Sequence, residues 1–166
     1  MALVAAIIMS ACGGPRVLYI GGSDDGPGDS FSVTGAMNAA QPKAVLSVTT
    51  ACLKKHVKPQ TIESVEPLKI GGGLKLTGFT VVPTPADGAS DGFLRRSIKQ
   101  RFHRTNHTVS ARCNNGKTLD WIYIEVSRPT SQLGSLRWLK FTDESGHEST
   151  VHFSLTVCRK TCPADS

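Results

Sequence analysis

Between Glu148 and Val157 apolar and polar side chains alternate without a break: Val151, Phe153, Leu155 and Val157 fall on one side, and Thr150, His152, Ser154 and Thr156 on the other. A period of two belongs to extended chain, because successive Cβ atoms point to opposite faces of a pleated strand. A helix would scatter the same residues around its axis. This stretch therefore predicts a strand with one face on a core and one in solvent, and a lone strand is not stable without neighbours.

The rest of the chain supplies them. Ala44 to Thr50 is β-branched and strand-like, and Ser135 to Thr142 leads into the turn Asp143-Glu144-Ser145-Gly146. Gln60 to Leu68 and Leu74 to Val82 flank Lys69-Ile70-Gly71-Gly72-Gly73, which predicts a hairpin. Thr118 to Ser127 is apolar on both faces, with Leu119, Trp121 and Tyr123 against Ile122, Ile124 and Val126, as a central strand is. Short strands with turn signals between them predict an all-β fold, an antiparallel immunoglobulin-like β-sandwich with at most one short helix. The place for that helix is Phe93 to Arg104, where Leu94, Ile98 and Phe102 recur every four residues; the alternative there is a basic connection between the two halves of the domain.

Three regions follow along the chain. Residues 1–11 are uncharged and almost wholly apolar, too short for a bilayer-spanning helix, which needs about 20 residues. Their length suits the apolar part of a signal peptide, although no Lys or Arg precedes them. The run Ile7-Ile8-Met9-Ser10-Ala11-Cys12 resembles the lipobox of bacterial lipoprotein signal peptides, which makes Cys12 the expected lipidation site. The alternative is a buried first strand with Cys12 as a small hydrophobe. Residues 12–42, rich in Gly, Ser, Asp and Ala, read as a lipid-anchor cysteine and flexible tether, interrupted by Val17-Leu18-Tyr19-Ile20 as a possible edge strand. Residues 43–166 form the β-sandwich domain.

Beyond Cys12 stand four cysteines, Cys52, Cys113, Cys158 and Cys162. An even number in an exported chain reads as two disulfides with three connectivities open. Cys158 and Cys162 are each expected to bridge back to Cys52 or Cys113, since a loop closed between them is geometrically tighter. The spacing Cys158-x-x-x-Cys162-Pro163 also resembles thioredoxin-like copper-delivery proteins. That gives an alternative in which Cys158 and Cys162, with His103 or His107, bind soft Cu(I). In those proteins the motif sits early in an α/β domain, and here it ends an all-β chain.

The formal net charge is +6 over 166 residues. A basic exported domain is drawn to anionic surfaces. Arg95, Arg96, Lys99, Arg101 and Arg104 concentrate that charge beside Phe93 and Phe102, which makes them the expected patch for an anionic partner. No nucleic-acid module surrounds them, so nucleic acid is not expected. The chain carries no nucleophile elbow, and its acids Asp120, Glu125, Asp143 and Glu144 show no pairing in sequence, so an enzyme is not expected and no cofactor is implied.

From Cys52 to Cys158 the chain is similar to small exported lipoproteins of actinobacterial type, a family of unknown function. The likeness rests on Cys52-Leu53, the strand around Ile62-Glu63-Ser64-Val65, the Gly-rich turn, Gly78-Phe79-Thr80-Val81, and a last strand closing in Cys158. It implies an envelope address and an all-β body. The function expected is a membrane-anchored, non-catalytic binding or scaffold module. Its partners would be the membrane through the lipid anchor, and anionic lipid, wall polymer or another envelope protein.

Overall fold

Alternating burial becomes strand wherever the sequence offers it. The computed structural model describes residues 17–21, 31–37, 39–83, 106–113 and 119–162. Among them run nine strands and no helix: β1 (Leu18–Ile20), β2 (Phe31–Ala36), β3 (Lys43–Leu53), β4 (Gln60–Gly71), β5 (Leu76–Val82), β6 (Thr108–Val109), β7 (Asp120–Ser127), β8 (Leu133–Asp143) and β9 (Glu148–Cys158). They form a four-stranded sheet, β1-β3-β7-β5, and a five-stranded sheet, β2-β9-β8-β4-β6. The two pack face to face as a sandwich. The orders β1-β3-β7-β5 and β9-β8-β4 match the A-B-E-D and G-F-C sheets of immunoglobulin-type domains.

The core lies between the inner faces. Phe141, Phe153, Met37, Leu53, Ile62, Ile122, Ile124, Leu136, Leu139 and Leu155 are its largest fully buried side chains. β9 contributes Val151, Phe153, Leu155 and Val157, the apolar set of its alternation, while His152 faces solvent. β7 lies between β3 and β5 and is buried on both faces: Ile122, Ile124 and Val126 inward, Tyr123 and Glu125 outward. Its two-sided pattern signalled that central position.

Three expectations are corrected. The stretches on either side of Gly71–Gly73 are not a hairpin, because β4 pairs with β8 while β5 pairs with β7 in the opposite sheet. Gly72 and Gly73 have φ of 67° and 69°, and a Cβ on either would overlap the Leu133 carbonyl or the Thr130 hydroxyl. The chain crosses between sheets there instead of folding back: β4 adds to β8 along its length, and β5 takes the edge of β7 that β3 leaves free. The segment read as tether is also partly sheet. β1 pairs antiparallel with β3 as the edge strand expected at Val17–Ile20, whereas β2 runs parallel to β9 from Phe31↔Phe153 to Ala36↔Cys158, the one parallel pair of strands among the described residues in a sandwich expected to be antiparallel. Residues 1–16, with Cys12, lie outside the described residues, as does Phe93 to Arg104.

The disulfides form the third correction. Cys52 bonds Cys113, and Cys158 bonds Cys162, so neither C-terminal cysteine reaches back to the body. The strand register places them at opposite ends: Cys158 opposes Leu133, whereas Cys52 opposes Tyr19 near the end of β3. The pairs also differ in what they close, since one spans 61 residues and the other 4. Chain entropy scales with the logarithm of loop length, giving about 4 kcal/mol for the long loop and about 2 kcal/mol for the short one. Urea denaturation of Cys52→Ala/Cys113→Ala should therefore show about twice the stability loss of Cys158→Ala/Cys162→Ala; equal losses would contradict this assignment.

Candidate functional site

Trp138 breaks the alternation of β8. Leu136 and Leu139 are both fully buried, so Arg137 and Trp138 turn outward together where a regular strand would expose one. The pairing explains how. Arg137 opposes Ser154 and Leu139 opposes Val151, so Trp138 alone faces both His152 and Phe153. Its φ of 55° is left-handed, an uncommon conformation for a bulky residue that costs on the order of 1–3 kcal/mol. Such strain persists where the surroundings enforce it, and it gathers at functional positions.

The indole so presented is 40% exposed, in the central strand of the five-stranded sheet. Lys69 Nζ stands 5.1 Å from its ring centroid, and the His152 ring lies 5.8 Å away, tilted by 30°. Leu68, 48% exposed, sits across from Trp138, between the pairs Pro67↔Leu139 and Lys69↔Arg137. Leu133, also exposed, lies further along β8, whereas the exposed Ile70 opposes the buried Leu136 on the other face of β4. Among the described residues, all the exposed large hydrophobic side chains thus belong to β4 and β8. Clustering of this kind marks interaction surfaces. One edge is set by Lys140, which reaches Glu148 at 3.0 Å and Glu66 at 3.5 Å. The hydrogen bond to Glu148 raises the Lys140 pKa above the ordinary lysine value, with the charges of Glu148 and Glu66 adding to it.

A second feature lies at the end of the sandwich where β3 finishes. Lys54, Lys55, His56 and Lys58 are exposed on the loop between β3 and β4. Val57 N–H donates to the Lys54 carbonyl at 3.3 Å, and His56 takes φ 65° at the third turn position, where a type II turn needs a left-handed residue. Arg112 is held alongside. Leu53 N–H donates to the Ala111 carbonyl at 2.8 Å and Cys113 N–H to the Leu53 carbonyl at 3.0 Å, with the Cys52–Cys113 bond beside them. The buried Asp120 carboxylate fixes this segment by accepting the Ser110 and Ala111 N–H groups at 2.6 and 2.8 Å. No ion pair joins these five basic residues to a described residue, and Arg112 Nη1 is buried without an acceptor among them.

The residues singled out in sequence fare unevenly. Arg95, Arg96, Lys99, Arg101, Arg104 and His103 lie outside the described residues. His107, just before β6, stacks on Phe79 of β5 with centroids 4.0 Å apart, away from Cys158 and Cys162. Those two sulfurs are bonded to each other and offer no thiolate for Cu(I), so the copper reading is set aside. Asp143 caps its turn by accepting the Ser145 and His147 N–H groups at 2.9 and 3.0 Å. Glu125 accepts from Lys43 Nζ at 2.9 Å and from the Thr77 hydroxyl at 2.7 Å. Sequence reasoning placed Trp138 within an ordinary strand. The signal available was Leu136-Arg137-Trp138-Leu139, two outward residues between two apolar ones inside a run of period two.

No protein-family model, curated protein or solved structure matches the chain. The two disulfides point to an oxidising, exported setting, and no helix among the described residues is long and apolar enough to cross a membrane.

If Trp138 is strained for a purpose other than packing, the fold should tolerate its removal. Trp138→Gly is expected to melt within about 3 °C of the parent, because relief of the left-handed backbone offsets lost ring contacts. The neighbouring Leu139→Ala should cost about 2–5 kcal/mol as a core truncation. Comparable losses in thermal denaturation would make Trp138 a structural residue.

Proposed function

We propose that this protein is an exported, lipid-anchored binding module of the cell envelope, without chemistry of its own. Its partner, an acidic envelope protein, docks on the outer face of the five-stranded sheet. The observation that carries the reading is Trp138, held outward in a strained conformation on the central strand beside exposed Leu68. Tryptophan and arginine dominate the energetics of protein interfaces, and here Arg137 is adjacent and exposed. Lys69 and Arg137 supply positive charge at the rim, which favours an acidic partner and speeds its encounter.

Two further observations support it. The buried carboxylates of Asp120, Asp143 and Glu125 are engaged by backbone N–H groups, a lysine and a threonine, in arrangements that hold strands and turns together. The lipobox-like run ending in Cys12 agrees with the exported setting that the disulfides point to.

A photo-crosslinking amino acid in place of Leu68, in cells, is expected to give one discrete protein adduct that Trp138→Gly abolishes. No adduct at Leu68, or the same adduct from Thr77 on the other sheet, would overturn the docking face. Mass spectrometry of the membrane-extracted protein should find a diacylglyceryl-modified Cys12 as the first residue, and an intact Met1 with a free Cys12 thiol would remove the anchor.

A further inference from the structure

The β3–β4 loop stands beside the start of the folded chain. Lys54 N–H donates to the Val17 carbonyl at 2.9 Å, and Leu18 pairs with Leu53. Val17 follows Cys12 by only five steps along the chain, and extended chain covers at most about 3.6 Å per residue, so the two lie within roughly 18 Å. β3 is 11 residues long, about 36 Å at strand rise. A lipid on Cys12 would therefore hold the Lys54 end of the sandwich within reach of the headgroups. The far end, with Cys158–Cys162, would stand a strand length away.

That near end carries cations that make no ion pair with a described residue. Lys54, Lys55, His56 and Lys58 are exposed, and Arg112 is fixed next to them by the Cys52–Cys113 bond. Among the described residues, the acids of the same end are Asp120 and Asp143, both buried and occupied by backbone N–H groups, and Glu63 and Glu144, which are exposed on the side of the five-stranded sheet. The cations thus cluster on the side where the chain leads back to Cys12. One acylated residue binds a bilayer only marginally, and stable anchoring calls for a second signal, such as a polybasic surface.

We propose that this loop is a membrane-docking surface: Lys54, Lys55 and Lys58, flanked by His56 and Arg112, rest on anionic phospholipid headgroups and provide that second signal. The orientation argument rests on the lipid anchor of the preceding reading, whereas the surface itself does not. Docked in this way, the domain keeps the Trp138 face, halfway along β8, clear of the bilayer and open to a partner.

The test uses the full chain carrying Cys12→Ser, so that no acyl chain contributes. Vesicles of phosphatidylcholine, with or without phosphatidylglycerol, are sedimented with it at low and high salt. Binding is expected only to vesicles containing phosphatidylglycerol, and only at low salt. The triple variant Lys54→Gln/Lys55→Gln/Lys58→Gln should bind about a hundredfold more weakly, close to 1 kcal/mol for each cation removed. The comparator Arg95→Gln/Arg96→Gln/Lys99→Gln should bind within about threefold of the parent, a change under 0.7 kcal/mol. No binding, equal binding to neutral vesicles, or a loss confined to the comparator would overturn the proposal. So would displacement by inorganic phosphate at constant ionic strength, which would indicate a discrete phosphate site. Because lipidation is read separately by the mass of Cys12, failure of the anchor and failure of the surface give different results.

Discussion

The pairing of β3 with β7 supports everything else in the molecule. Running from Lys43↔Ser127 to Ala51↔Asp120, it sets two long, apolar strands at the centre of the four-stranded sheet. Their inward side chains, Leu46, Val48, Ala51, Ile122, Ile124 and Val126, face the Leu136, Leu139, Phe141, Phe153 and Leu155 layer of the other sheet. Burial of this apolar surface, at roughly 25 cal/mol per Å², is the dominant favourable term in such a fold. β1 and β5 then need only to add along the free edges of β3 and β7.

The same strand pair organises the basic end. Asp120, the last β7 residue in register with β3, holds the 110–111 backbone, and Cys52, one residue beyond Ala51, bonds Cys113. A segment with little strand of its own is thereby fixed against β3, and Arg112 arrives beside Lys54. A charge cluster placed by covalent and charge-assisted bonds keeps its geometry without a core beneath it. The outer face of the other sheet uses a different device. There a register shift and a left-handed residue turn Trp138 away from a core that its neighbours Leu136 and Leu139 continue to fill.

The two surfaces suit different forces. The basic loop is exposed and makes no ion pair with a described residue, which suits the long-range, salt-sensitive attraction to a charged plane that we propose for it. Trp138 and Leu68 offer apolar area that gains free energy only when water is excluded by a close-fitting partner. The sandwich separates the two, so that in the proposed arrangement one faces the bilayer and the other a protein without competing for the same ground.

Much of the fold was legible in the residues themselves. The alternation of β9, the two-sided apolar character of β7 and the Asp143–Gly146 turn each correspond to their structural positions, because side-chain period and turn chemistry are local properties. Partner choice was not legible. Gly71–Gly73 reads as a hairpin turn in sequence, yet the strands it joins part to opposite sheets, since pairing is decided by which edges are free once β7 and β8 are in place. Phe31 to Ala36 carries too few large side chains to announce a strand and becomes one by adding to β9. The cysteine pairing likewise depended on which chain ends the sheets bring together. By itself, then, the sequence determined strand character and a cysteine set that points to an oxidising setting, both set by side-chain chemistry over a few residues. Only the tertiary structure decided the crossover, the disulfide partners, the outward turn of Trp138 and the meeting of Arg112 with Lys54, because each depends on contacts between residues far apart in the chain.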